Sequence, residues 1–158
     1  MKLSTQEEYG LRCLLQIGRH EDLTGGSLTI PEISRIEGLS APNVAKLLRI
    51  LRIEGYVESE RGQTGGYRLS RPADQILISD VLATLGGPLF GPEFCEDHAG
   101  QAELCTHSID CSIRSLWHTV QSIVDQVLNK ITLKDLLCGE RELNSSLQIM
   151  TDDLLQVS

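Results

Sequence analysis

A mainly α-helical chain with one small β-hairpin is the fold class that this sequence predicts, and three observations carry the expectation. Helix-start signals recur ahead of apolar residues spaced for one helix face. Two short β-type runs flank a glycine-rich loop. A long apolar stripe at helical spacing follows further on. The 158 residues, 41% of them hydrophobic, are enough to bury a core. By composition and punctuation the chain divides into residues 1–72, a connecting helix and cysteine loop over 73–111, a long and a short helix over 112–138, and a tail over 139–158.

Ser4 and Thr5 stand three residues before Glu7 and Glu8, the spacing of a capping box, and Tyr9, Cys13, Leu14 and Ile17 follow at helical intervals. The segment EDLTGGS stops this helix. Thr29, with Glu32 at the box offset and Pro31 in the first turn, opens a second helix that ends at Gly38. Two residues later Ser40 caps a third, which runs to Gly55 with Val44, Leu47, Leu48 and Leu51 on one face and Lys46, Arg49 and Arg52 turned elsewhere. Two short helices around a tight turn make a helix-turn-helix. YVESE and YRLS then read as strands around RGQTGG, whose Gly62, Gly65 and Gly66 suit positive-φ turns. A glycine-tipped, arginine-bearing hairpin directly after a basic helix is the pattern of a winged helix.

Beyond the hairpin, ISDVLATLGG reads as a short helix capped by Ser79, and GPLFGPEF breaks regularity before the cysteines. Ile113, Leu116, Trp117, Val120, Ile123, Val124, Val127, Leu128 and Ile131 then form a stripe over about five turns. The preceding segments offer little surface for so long a helix, so it reads as a dimerisation helix. Thr132 caps a last short helix, LKDLL, and 139–158 reads as a loosely held polar tail.

The net charge of −8 conceals a division: residues 1–72 hold ten basic against nine acidic side chains, residues 73–158 four against thirteen. Lys46, Arg49, Arg52, Arg61, Arg68 and Arg71 concentrate positive charge on the winged helix, which points to double-stranded DNA. Ser40, Ala41, Asn43 and Lys46, at the start of the third helix, should lie nearest the base edges of a major groove. Arg61 suits a narrow minor groove, Gly65 and Gly66 permit close backbone approach, and Arg49, Arg52 and Arg68 suit phosphates. No apolar run approaches the ~20 residues of a membrane span, and the N-terminus lacks a signal-peptide layout, so the chain is expected in the cytoplasm without a membrane partner. Lacking a phosphate loop, nucleophile triad or dinucleotide motif, it is expected to be no enzyme and to have no small-molecule substrate.

The stretch CEDHAGQAELCTHSIDC, residues 95–111, holds three of the five cysteines with the spacing C-x9-C-x5-C. A reducing compartment favours metal ligands, a redox sensor or buried packing over disulfides. Thiolates are the standard ligands of iron-sulfur clusters, which take four ligating groups. Zinc or free thiols are the other readings, although zinc more often uses a CxxC pair, absent here. Cys13 and Cys138 lie on apolar helix faces and read as packing residues. His98 and His107 read either as further ligands or as solvated loop residues, and Glu8 reads as a capping partner of Thr5.

MKLSTQEEYGLR, the helix-turn-helix, RGQTGGYRLSRPA, the cysteine segment, LW and ITLKDLL together resemble the bacterial Rrf-type family of winged-helix regulators, in the iron-sulfur branch that includes IscR, NsrR and RirA. The resemblance extends to about residue 138. It implies a homodimeric transcription regulator on a palindromic operator, with Cys95, Cys105 and Cys111 of each subunit holding an iron-sulfur cluster, 4Fe-4S favoured over 2Fe-2S. It also implies a non-cysteine fourth ligand from the partner subunit's first helix, at the position of Glu8, with His107 and His98 as weaker alternatives. Arg114 stands where the IscR branch carries a histidine three residues after the last cysteine, a departure from that ligand set. Such a regulator would sense redox state, nitric oxide or iron and cluster status. A metal-free thiol switch and an iron-sulfur carrier or assembly protein are the alternative readings.

Overall fold

Three helix starts in this chain fall where a hydroxyl and a carboxylate stand three residues apart. The computed structural model describes residues 3–63, 65–91, 93–100, 105, 107 and 109–156. In α1 (Thr5–Thr24) the Ser4 hydroxyl accepts the Glu7 N–H at 3.2 Å, while Glu7 Oε2 accepts the Ser4 N–H at 2.7 Å. Of the two overlapping boxes in the sequence, Ser4 with Glu7 is the one that forms. Thr5 becomes the first helical residue, and Glu8 is left exposed with no capping role. Thr29 and Glu32 form the box of α2 (Ile30–Glu37), which Gly38 closes in the left-handed conformation. Ser40 takes the N-cap position of α3 (Ala41–Ile53) without a side-chain cap bond. Burying Val44, Leu47, Leu48 and Leu51 offsets that omission: each contributes about 1.5–3 kcal/mol, whereas a cap is worth about 1 kcal/mol.

The wing is an antiparallel pair, β1 (Val57–Glu60) and β2 (Gly66–Leu69), with Val57 opposite Leu69 and Glu60 opposite Gly66. Leu28, between α1 and α2, exchanges both backbone hydrogen bonds with Tyr67 at 3.0 and 2.7 Å, which ties the wing to the helix-turn-helix. Then follow α4 (Ile78–Leu85), α5 (Phe94–Asp97), α6 (Ser112–Leu128), α7 (Leu133–Leu137) and α8 (Glu140–Gln156). A bridge between Leu77 and Thr132 brings the chain back after α6, so that α7 packs on α1. Two notches in α1 permit this closure. A Cβ on Gly10 would lie 2.6 Å from Leu85 Cδ1, and one on Gly18 would lie 3.2 Å from Leu137 Cδ2.

One core joins Leu14 and Ile17 of α1, Ile33 of α2, the α3 face, Val57 and Leu69 of the hairpin, Val81 and Leu85 of α4, and Leu133 of α7. The long helix is different: no residue of α6 is buried, and Ile113, Leu116 and Ile123 are 55%, 53% and 54% exposed. The sequence stripe divides at this point. Val124, Val127 and Leu128 turn toward the chain's own body, and Ile131 lies beyond the helix, buried in the core.

Two expectations need correction. The tail is no loose segment but α8, from which Leu147 and Met150 pack against the core. Leu143, Leu147 and Met150 recur at helical intervals within a polar composition, and that interval outweighs the polarity. Ser79 does not cap α4. Leu77, held extended by its bridge to Thr132, takes the N-cap position, and the Ser79 hydroxyl is buried without a partner. No helix among the described residues is long and apolar enough to cross a membrane.

Candidate nucleic-acid interface and cysteine segment

Because α3 buries Val44, Leu47, Leu48 and Leu51, its opposite side must face outward, and Lys46, Arg49 and Arg52 are exposed there. Ser40 and Ala41 are exposed at its start, and Asn43 is half-buried. Arg61 is exposed where the wing loop begins, and the Arg71 guanidinium lies 4.8 Å from the centre of the Tyr56 ring. Lys46, Arg49, Arg52 and Arg61 make no ion pair with another described residue. A basic surface left uncompensated in this way attracts a polyanion.

Arg68 differs from these four. Its guanidinium meets Glu60 at 2.9 Å, Glu21 at 3.5 Å and Glu58 at 3.9 Å, and Glu21 Oε2 also accepts the Leu69 N–H at 2.9 Å. The Glu60 hydrogen bond and the Glu21 charge hold the Arg68 pKa above its ordinary value. Arg68 thus fastens the wing to the end of α1. The wing glycines also serve the fold. Of Gly62, Gly65 and Gly66, Gly62 alone has a positive φ, 117°. A Cβ on Gly66 would lie 2.7 Å from the Leu28 carbonyl, and one on Gly65 would lie 2.6 Å from the Glu60 oxygen.

Sequence reasoning missed the link between α1 and the helix-turn-helix. Arg12 Nε donates to Glu37 Oε2 at 2.6 Å, and its Nη2 donates to the Glu37 carbonyl at 2.9 Å. The Glu37 side chain is 7% exposed. One guanidinium therefore neutralises a nearly buried carboxylate and caps the C-terminal end of α2. The partners lie 25 residues apart, so no local pattern announces them.

The three segment cysteines occupy different local settings. Cys95 is on α5, Cys105 is in the loop, and Cys111 is the α6 N-cap; all are half-buried free thiols. Cys111 Sγ accepts the Arg114 N–H at 3.3 Å, and Arg114 Nη2 donates to the His107 carbonyl at 3.1 Å. The exposed His98 stacks on Phe94 at 4.3 Å, with Nδ1 2.7 Å from the Phe94 carbonyl oxygen. Phe90 stacks on Trp117 at 4.9 Å, Phe94 meets the same indole edge-on at 6.2 Å, and the Phe90 N–H donates to Gln121 Oε1 at 2.9 Å. These rings pin the beginning of the segment to α6. Three accessible thiols, one of them accepting an N–H at sulfur, are a donor set that fits a thiolate-held cluster. Among the described residues, however, no group of three or more His, Cys, Asp or Glu lies close enough to hold a metal ion. The other two cysteines are spent on the fold: Cys13 is fully buried, its thiol pushed up to about 12 by desolvation, and Cys138 Sγ donates to the Asp135 carbonyl at 2.6 Å.

The family model of Rrf2, described as an iron-dependent transcriptional regulator, matches residues 3–139. The chain is 33% identical over 137 residues to Protein rrf2 of Nitratidesulfovibrio vulgaris, covering 87% of each. It is 31% identical over 137 residues to the HTH-type transcriptional regulator IscR of Photobacterium profundum, covering 87% of this chain and 76% of that one. Among solved structures it is similar to Staphylococcus aureus CymR in its oxidised form, with a TM-score of 0.68, 28% identity, and 87% and 96% of the two chains covered. A helix-turn-helix with an attached wing, matched by that model over nearly the whole length, places this chain in the Rrf2 family of transcriptional regulators.

Proposed function

We propose that the chain acts as a homodimer that reads a palindromic operator with α3 and the wing, under control of an iron-sulfur cluster held by Cys95, Cys105 and Cys111. One observation carries this reading: Cys111, one of three half-buried segment thiols, caps a helix on which Ile113, Leu116 and Ile123 stay more than half exposed. Pairing two such helices would set two copies of α3 at the spacing of one DNA turn, about 34 Å. Ser40, Ala41, Asn43 and Lys46 would then face base edges, Arg49 and Arg52 the phosphates, and Arg61 a minor groove. In this reading Arg68, Gly65 and Gly66 hold the wing in the shape that presents Arg61.

When bound, a cluster supplies an iron centre sensitive to redox state and to competing ligands. Glu8 is exposed and free of capping work, which suits a fourth ligand offered to the partner subunit's cysteine segment. His107 and His98 are the alternatives, the second already turned toward the Phe94 carbonyl. Movement of the segment would reach α6 through the Phe90–Trp117 stack, and movement of α1 would reach α2 through Arg12 and Glu37. An iron-sulfur carrier would have no use for the uncompensated cations of α3.

A second reading, a thiol switch without metal, draws support from the likeness to a CymR crystallised in an oxidised form. Iron and sulfide content of anaerobically purified protein separates the two. The cluster reading expects a chromophore lost in Cys95→Ala, Cys105→Ala and Cys111→Ala and kept in Cys13→Ala and Cys138→Ala. The switch reading expects metal-free protein whose operator affinity falls with oxidant and returns with a thiol reductant. For the DNA side, operator affinity should fall steeply with salt and drop by about 1–3 kcal/mol in Arg61→Ala. Equal affinity for random DNA at moderate salt would refute the regulator mechanism.

A further inference from the structure

The side of α6 that carries Gln121, Val124 and Leu128 does not close on the rest of the chain. A cavity of about 420 Å3 remains between it, the start of α1, and α4 with the loop that follows, a volume typical of small-molecule sites. Its walls are mostly apolar, formed by Leu82, Leu89, Val124 and Leu128 among others. Two polar groups on the opposite wall are not spent by the fold. Glu7 is 6% exposed, yet its capping bond occupies Oε2 alone, and no hydrogen bond from a described residue engages Oε1. The Ser79 hydroxyl is buried and has no hydrogen-bond partner among the described residues, which is unfavourable unless something satisfies it.

The lining also has a sign. Glu7 and Asp125 contribute carboxylates, and no lining residue among those described is basic. An anion is excluded by such walls, whereas a cationic head can take Glu7 Oε1 and donate to Ser79 while an apolar body fills the remainder. We infer that this cavity is a binding site for a small amphipathic amine, an ammonium group on an apolar body, that braces α6 against α1 and α4. The site is separate from the cysteine segment and from the basic face of α3. It also lies apart from the α6 face of Ile113, Leu116 and Ile123, so pairing through that face leaves it on the chain's own side. A molecule lodged there would restrict the angle between the long helix and the winged helix, which sets the spacing of two DNA-reading helices.

The test uses the full-length protein as purified, without DNA, and three probes of equal length at neutral pH: hexylamine, hexanol and hexanoate. Binding is read by saturation-transfer NMR and by thermal shift. Hexylamine should bind about tenfold more tightly than hexanol, and hexanoate should not bind. Glu7→Gln keeps a side chain able to serve in the capping box and should remove the preference for the amine while hexanol binding persists. Ala83→Trp, which places a large side chain in the cavity from an exposed position on α4, should abolish binding of all probes. Equal binding of the three probes, or an amine preference unchanged by Glu7→Gln, would overturn the inference. So would binding that appears only after the dimer is dissociated, since the cavity would then belong to the contact between copies.

Discussion

The helices α3 and α6 are both amphipathic, yet the chain treats them in opposite ways. Four of the 13 residues of α3 are buried, and they form the centre of the core. None of the 17 residues of α6 is buried, although its apolar stripe is the longer. Amphipathic spacing therefore states that a helix has an inside without stating whose inside it is. For α3 the answer lies in its own chain, in α1, α2, α4 and the first strand of the wing. For α6 three large aliphatic side chains stay more than half exposed, which suits the second surface of the proposed homodimer.

The strongest way to break this contrast is to injure each helix at its apolar centre. Leu48→Ala should lower the unfolding free energy by about 2–5 kcal/mol in urea titrations, because a fully buried side chain leaves a cavity. Leu116→Asp with Ile123→Asp, on the exposed face of α6, should instead spare the winged helix and yield monomers in sedimentation, since an unpaired charge is strongly disfavoured in a dry contact. Dimers that survive the double change would show that α6 serves its own chain.

A smaller effect sharpens the boundary between the halves. Arg12→Met leaves Glu37 nearly buried without its cation, and we expect a loss of about 1–3 kcal/mol in stability and a weaker hold on the operator, with assembly unchanged. Parallel loss of DNA affinity and dimerisation would contradict the placement of Arg12 in the DNA-reading half.

The smallest effect is electrostatic and local. The N–H and hydroxyl of Thr29 hold the Glu32 carboxylate below its ordinary pKa of 4.5. A depressed carboxylate stabilises the fold at pH above the unfolded value and loses that contribution as pH falls through the folded value. Wild type should therefore be more stable than Glu32→Gln at pH 7, and the difference should close as pH drops below 4.5. A difference that persists in acid would assign the effect to packing.

What the sequence revealed was local in origin. The box at Thr29, the cap at Thr132, the apolar face of α3 and the hairpin all depend on neighbours a few residues away, and each stands where the pattern put it. Contacts that join distant segments stayed hidden: Arg12 with Glu37, Leu28 with Tyr67, Leu77 with Thr132. The last of these displaced Ser79 from its expected cap. Polar composition concealed α8, whose apolar interval is carried by few residues. At the candidate site, the basic face of α3 was legible because burial of one side fixes the other. Arg68 and the wing glycines were not, since their partners come from the end of α1 and from Leu28.

The ring cluster beside Cys95 has an optical consequence. Trp117 is the sole tryptophan of the chain, and it lies against Phe90 and Phe94 at the entrance to the cysteine segment, whereas Tyr9, Tyr56 and Tyr67 all belong to the DNA-reading half. Indole emission thus comes from one half of the molecule alone. Any event that unstacks Phe90 changes the polarity and quenching around that indole, so the protein carries its own fluorophore for the segment and needs no attached dye to report when its thiols rearrange.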